Sequence, residues 1–150
     1  MTTRQASRQR KTAETSIEVE LLVDGSGTAS ASTGIPFFDH MLEQLGKHAG
    51  FDLKIVAKGD LEVDTHHTIE DVGIVVGGCL AEALGDKAGV RRFASNLVPL
   101  DEALVQVALD LSGRPFIVYE VDPISDWIGT FDPQLAEEFW RAFAFAAGVT

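Results

Sequence analysis

Asp64-Thr-His-His-Thr-Ile-Glu-Asp-Val-Gly-Ile-Val-Val-Gly-Gly-Cys-Leu-Ala-Glu-Ala-Leu-Gly-Asp86 organises the reading of this chain. Ile69, Val72, Val75, Val76, Leu80, Ala83 and Leu84 recur mostly at three- and four-residue spacing, so residues 66–86 read as a helix with a buried stripe. Asp64 and Thr65 before it are both acceptable caps. On such a helix His66 and Glu70 are one turn apart and can close on one cation, while His67 points about 100 degrees round the axis. One motif can therefore feed two metal sites. Two imidazole nitrogens and a carboxylate oxygen suit Mn, Fe or Zn, and nothing in the motif favours a thiolate site. A helix start with two partly exposed histidines and ordinary acids near the positive end of the dipole gives the same pattern, so the motif alone leaves both readings open.

Working outward towards the N-terminus, residues 51–58 alternate as a strand, and Leu61 to Asp64 alternate again after the turn Gly59-Asp60. Before them Phe38, Met41, Leu42 and Leu45 mark a second helix over residues 37–48, broken upstream by Gly34-Ile35-Pro36 and ended by Gly50. His40, Gln44 and His48 form a polar stripe on it, which taken alone reads first as a solvated face. Ile17, Val19, Leu21 and Val23 alternate with acids, and the turn Asp24-Gly25-Ser26-Gly27 returns the chain as a second strand, Thr28 to Thr33, giving a hairpin. Met1 to Lys11 is polar, basic and aperiodic and is expected to fray as a flexible tail. From Ser16 to Asp86 the expected order is strand, strand, helix, strand, strand, helix.

Composition sets the limits. A chain of 150 residues, 45% hydrophobic and 23% charged, can build one ordinary core. Twelve basic against 23 acidic residues leave a formal charge of -11, which argues against a nucleic-acid or anionic-membrane binder. Any anionic ligand must meet a local cluster of cations. The single cysteine, Cys79, falls on the apolar helix, so no disulfide framework exists and a reducing compartment is expected. With no apolar run of membrane-spanning length, the protein is expected to be soluble and cytoplasmic.

Beyond Asp86 the pattern recurs. Val19 to Gly27 aligns with Val105 to Gly113 at an offset of 86, with Val, Asp, Ser and Gly matching in four of nine places. After an expected strand, Phe116 to Val121, and an irregular loop, Asp132-Pro133 opens a helix that runs to Gly148. Ala147-Gly148 aligns with Ala49-Gly50 at an offset of 98, the difference of 12 falling in that loop. Residues 12–90 thus read as a first half and residues 91–150 as a second. The second stops where its third strand should begin, which leaves an open sheet edge and an uncovered apolar face.

Thr33-Gly-Ile-Pro-Phe-Phe-Asp-His-Met-Leu42, His48-Ala-Gly-Phe-Asp52, Gly59-Asp60, His66-His-Thr-Ile-Glu-Asp71, Leu84-Gly-Asp-Lys87, Pro99-Leu-Asp-Glu102 and Asp110-Leu-Ser-Gly-Arg-Pro115 together resemble the imidazoleglycerol-phosphate dehydratase family. The resemblance spans residues 12–150 with the motifs in order. It implies an α+β fold of two similar ββαββα-type halves, a ribosomal protein S5 domain 2-like duplication with sheets packed on helices, the second half here being incomplete. It also implies a lyase of histidine biosynthesis that converts imidazole glycerol phosphate to imidazole acetol phosphate and water through a metal-stabilised imidazolate. Two Mn2+ ions per site and a 24-subunit homo-oligomer with active sites between subunits belong to the same expectation.

The family's metal ligands map onto His40, His66, His67 and Glu70. Glu14, in a Glu-Thr motif before the first strand, becomes the first choice for moving protons, with Asp101 second; a solvated acid at a strand start or in a turn is the plain alternative for each. The substrate's phosphate falls to Arg92 and Arg114, helped by Gln44 and His48, while Arg91 stays in solvent. Glu138 stands where relatives often carry a metal-binding histidine, and a glutamate can ligate Mn2+. The family's second His-His-x-x-Glu would lie beyond Thr150, so a truncated, non-catalytic metal-binding or assembly module of the same fold remains a second reading.

Overall fold

A computed structural model describes residues 3–150, and Met1 and Thr2 of the expected tail lie outside the described residues. The alternation of Ile17, Val19 and Leu21 with Ser16, Glu18 and Glu20 does produce a strand, β2 (Thr15–Leu22), and those three apolar side chains are at most 3% exposed. Around it lie β1 (Gln5–Lys11), β3 (Ala29–Ser32) and β4 (Asp52–Gly59), in the sheet order β1-β2-β4-β3. β2 is antiparallel to both β1 and β4, and β3 runs parallel to β4.

Two expectations for the N-terminal region are corrected by this sheet. The basic segment is an edge strand, paired from Gln5↔Leu22 to Lys11↔Ser16. Its inward positions carry Ala6, Arg8 and Arg10, opposite Leu21, Val19 and Ile17, and the two guanidinium groups reach acids on the covering helix. Residues 16–23 and 28–33 do not form a hairpin either, because β4 lies between them. The Asp52 carboxylate accepts hydrogen bonds from Ser26 N (2.8 Å), Ser26 Oγ (2.9 Å) and Thr28 N (3.1 Å). The connection is thereby pinned across the end of β4 and delivers β3 to its far side.

Helix α1 (Pro36–Ala49) and helix α2 (His66–Leu84) cover the inner sheet face with Phe38, Leu42, Ile69, Val72, Val76 and Cys79. The Cys79 thiol is pushed up to about 11 by burial, so it packs as a small neutral group. Leu61 to Asp64 is a turn rather than the expected strand, closed by Val63 N donating to Asp60 O at 2.8 Å.

Beyond α2, β5 (Phe93–Leu100) and β6 (Ala103–Asp110) form an antiparallel hairpin around Asp101-Glu102, and helix α3 (Leu135–Ala147) follows. Residues 116–121 form no strand; within them Phe116 N donates to Val149 O at 3.1 Å, and Phe116, Val118 and Val121 stay exposed. α3 lies against α2 at Gly73 and Gly77, where an added Cβ would come within 2.7 Å of Phe139 O and 2.4 Å of Phe143 O. Phe139 and Phe131 continue the contact onto Phe38, with ring centroids 5.5 and 6.2 Å away. The offset of 98 also relates the helix ends: Gly50 and Gly148 are both left-handed (φ 73 and 65), and Phe51 N bonds Gly46 O as Val149 N bonds Ala144 O. The fold is α+β, with sheets packed on helices as expected.

Candidate functional site

The first turn of α2 is set by Asp64, whose Oδ1 accepts from His66 N at 2.7 Å. His66 Nε2 then stands 3.8 Å from Glu70 Oε2, with both side chains 44% exposed on one face. His67 diverges as the helical spacing requires, its ring centroid 6.1 Å from that of His66. Its Nδ1 lies 3.0 Å from Asp60 Oδ2 and 3.3 Å from Oδ1. The hydrogen bond to Asp60 raises the His67 pKa, and the charges of Asp60, Asp64 and Glu14 reinforce it against desolvation. With Nδ1 engaged, Nε2 is the nitrogen available for another partner.

A cleft of about 240 Å³ lies beside this turn, lined by Arg10, Thr12, Glu14, His67, Glu70 and Asp71. Glu14 reaches it from the β1–β2 turn. Thr12 Oγ1 accepts from the backbone N–H groups of Glu14 (3.2 Å) and Thr15 (2.9 Å), which folds that turn and leaves the Glu14 side chain exposed. Asp71, at the same cleft, is buried: its Oδ1 accepts from Arg10 Nε at 2.8 Å and its Oδ2 from the Thr15 hydroxyl. A larger groove, about 750 Å³, crosses the sheet near Glu20, Asp52 and Lys54, but it contains no histidine or arginine, and Lys54 there is paired with Glu20. The titratable sequence candidates gather at the smaller cleft.

The structure brings Glu14, His67 and Glu70 together at the cleft, with His66 beside Glu70, and leaves the other sequence candidates away from it. His40 and His48 are exposed and Gln44 is half-buried on α1, and Glu138 is half-buried on α3. Among the described residues no three His, Cys, Asp or Glu side chains are grouped closely enough to hold a metal ion. Asp101 occupies the β5–β6 turn with φ 48, on a hairpin that among the described residues packs against no helix and no other strand. Arg92 is engaged by Asp110 through two bonds, Nε–Oδ1 2.6 Å and Nη2–Oδ2 2.9 Å. Arg114 forms no ion pair among the described residues, and its charge and that of Lys87 both act on the Asp110 carboxyl, which is lowered first by the bond from Arg92. Arg91 is exposed, as expected.

Arg10 and Asp71 were not singled out from sequence. The available signals were weak: Arg8 and Arg10 share a strand face by their spacing, and Asp71 falls one residue from Val72 on the buried side of α2.

Titratable groups from a strand turn and a helix start, gathered at one cleft of an α+β scaffold, define a candidate acid–base enzyme. The chain belongs to the imidazoleglycerol-phosphate dehydratase family, whose description matches residues 33–150. It is 56% identical over 146 residues to the imidazoleglycerol-phosphate dehydratase of Acidothermus cellulolyticus, covering 97% of this chain and 71% of that one. Identity to the Caldanaerobacter subterraneus protein of the same name is 55%, over 98% of this chain and 76% of that one. The crystal structure of the Staphylococcus aureus dehydratase superposes with a TM-score of 0.85 at 35% identity, over 97% of this chain and 80% of that chain. The Pyrococcus furiosus structure gives 0.77 at 32% identity, over 95% and 76%. The family is one of enzymes, dehydratases of histidine biosynthesis. Among the described residues no helix is long and apolar enough to cross a membrane.

Proposed function

We propose that this chain removes water from imidazole glycerol phosphate to give imidazole acetol phosphate, with Glu14 moving the proton, His66 and Glu70 contributing to one Mn2+ site and His67 to another. The observation that carries this reading is the shared cleft. Glu14 and the α2 motif are far apart in sequence, yet Glu14, His67 and Glu70 line one small space. The donor set fits Mn2+ in kind, since His66 Nε2 and Glu70 Oε2 are 3.8 Å apart on one exposed face and His67 Nε2 is oriented by Asp60. Bound there, Mn2+ would stabilise negative charge on the imidazole.

The remaining roles belong to the chain's own groups. Glu14 is exposed and can take a proton from the carbon beside the ring and return one to the departing hydroxyl. Asp101 is the second candidate. Arg92 and Arg114 supply the forked donors a phosphate needs in an otherwise acidic chain, with Arg92 exchanging its Asp110 partner for the ligand. His40, Glu138, Gln44 and His48 are not joined to the His66–Glu70 face. In this reading they complete sites between copies of a homo-oligomer, the 24-subunit assembly being the expected one.

The test is turnover of imidazole glycerol phosphate with Mn2+, alongside calorimetric Mn2+ binding. Glu14→Gln is expected to lower kcat by about 10²–10⁴ while Mn2+ still binds. Replacing both His66 and His67 by Ala should abolish binding and turnover together. Mn2+ binding by the unsubstituted chain without turnover would instead favour the metal-binding or assembly module.

A further inference from the structure

We infer that Asp71 is a positioning residue for Glu14: the Arg10–Asp71–Thr15 linkage holds the turn that presents Glu14 against the first turns of α2. The inference rests on the proposed role of Glu14 in proton transfer.

Asp71 is 6% exposed, and an acid so placed is costly unless both oxygens are engaged. Both are. Oδ1 takes the Arg10 Nε–H at 2.8 Å from β1, and Oδ2 takes the Thr15 hydroxyl from the start of β2. Arg10 and Thr15 flank the turn that carries Glu14, while Asp71 follows Glu70 directly on the helix. Within the turn Thr12 Oγ1 binds the N–H groups of both Glu14 and Thr15, and Thr12 N donates to Thr15 O at 2.9 Å. Moving Thr15 therefore moves Glu14. The Arg10–Asp71 and Thr15–Asp71 bonds tie both strands of the turn to the helix, and such a two-point polar tie fixes their register. Misplacement of a proton-carrying group by about 1 Å can cost about 10²-fold in rate.

The 150-residue chain carrying Thr15→Val, Asp71→Ala or Asp71→Asn tests this with Mn2+ and imidazole glycerol phosphate. Thr15→Val removes one donor at nearly constant volume and is expected to lower kcat about 10-fold with KM within about 3-fold. Asp71→Ala should lose more, and Asp71→Asn, which can accept from Arg10 and donate to Thr15 Oγ1, should recover most of that loss. Amide hydrogen exchange of residues 12–15 should accelerate at least about 10-fold in Thr15→Val, a readout that needs no turnover.

In a Glu14→Gln background, Thr15→Val should cost nothing further in kcat, because its effect runs through Glu14. Unchanged exchange at residues 12–15, or unchanged kcat in folded Thr15→Val, would overturn the inference. So would a full additional loss in the Glu14→Gln background, or an Asp71→Asn variant no better than Asp71→Ala. If Asp71→Ala does not fold, Thr15→Val decides. Loss of turnover in Glu14→Gln with none in Thr15→Val would remove the positioning role alone; full turnover in Glu14→Gln would remove the role of Glu14, and this inference with it.

Discussion

β1–β2 and β5–β6 are the same device in two environments. Each is an antiparallel pair closed at its open end by an arginine–aspartate ion pair, Arg4 with Asp24 and Arg92 with Asp110. In each, the residue beyond the second strand donates back to that arginine's carbonyl, Val23 N to Arg4 O and Leu111 N to Arg92 O. β2 adds Ile17, Val19 and Leu21 to a core under α2. β6 carries Leu104, Val105, Val107 and Leu109 as well, yet all four are exposed, with Leu104 at 65%. Backbone pairing is complete in both, so pairing is not what separates them. An isolated two-stranded ribbon is marginal in water, and a covered face supplies the stability that the ladder does not.

Truncating each hairpin's central apolar residue should therefore give very different results. Ile17→Ala, at a site with no exposure, is expected to cost about 2–5 kcal/mol in urea unfolding, whereas Val105→Ala should stay within about 0.5 kcal/mol. Equal losses would mean that the β5–β6 hairpin is covered in solution. An intermediate effect is expected where α3 meets α2. Gly77→Ala puts a Cβ 2.4 Å from Phe143 O, a backbone atom that cannot turn aside, so α3 must move and about 1–3 kcal/mol should be lost. A neutral Gly77→Ala would show that α3 is loosely seated on α2.

What could be read from the sequence follows the same division. α1 and α2 were legible because their apolar residues keep helical period over three turns or more, and the Gly50 and Gly148 ends matched at the offset of 98. β1 was not, since its inward residues are Ala, Arg and Arg and its periodicity lies in charge rather than hydropathy. Adjacent strands usually pair, which made residues 16–33 look like a hairpin; bonds to Asp52 and Leu53 instead carry the chain past β4. β5 was not singled out, and Pro99 interrupts its pattern. Residues 116–121 alternate convincingly but find no strand to pair with. At the site, His66 and Glu70 follow from spacing along one helix. Glu14 came from the family resemblance, and the Asp71 linkage joins elements that no local pattern connects.

The smallest expected effect concerns pH, and it too separates the two hairpins' surroundings, because all four histidines precede β5. Asp60 raises the pKa of His67, so in the metal-free chain this pair stabilises the folded form fully below the ordinary histidine value of about 6.5. That contribution fades as pH rises through the raised value. The carboxyls of Asp24 and Asp110 are lowered by their arginines, so their contributions run the opposite way, present above the ordinary carboxylate range and lost only as pH falls through the lowered values. Between about pH 6 and 8 the two hairpin ion pairs are therefore silent and the start of α2 responds. Asp60→Asn should return the His67 titration, followed by its imidazole proton resonances, towards about 6.5, and should weaken the pH dependence of the unfolding midpoint. The exposure of His67 keeps the expected change small. A His67 that already titrates at the ordinary value in the unsubstituted chain would mean that Asp60 does not hold it in solution, and the orientation of Nε2 would then need another cause.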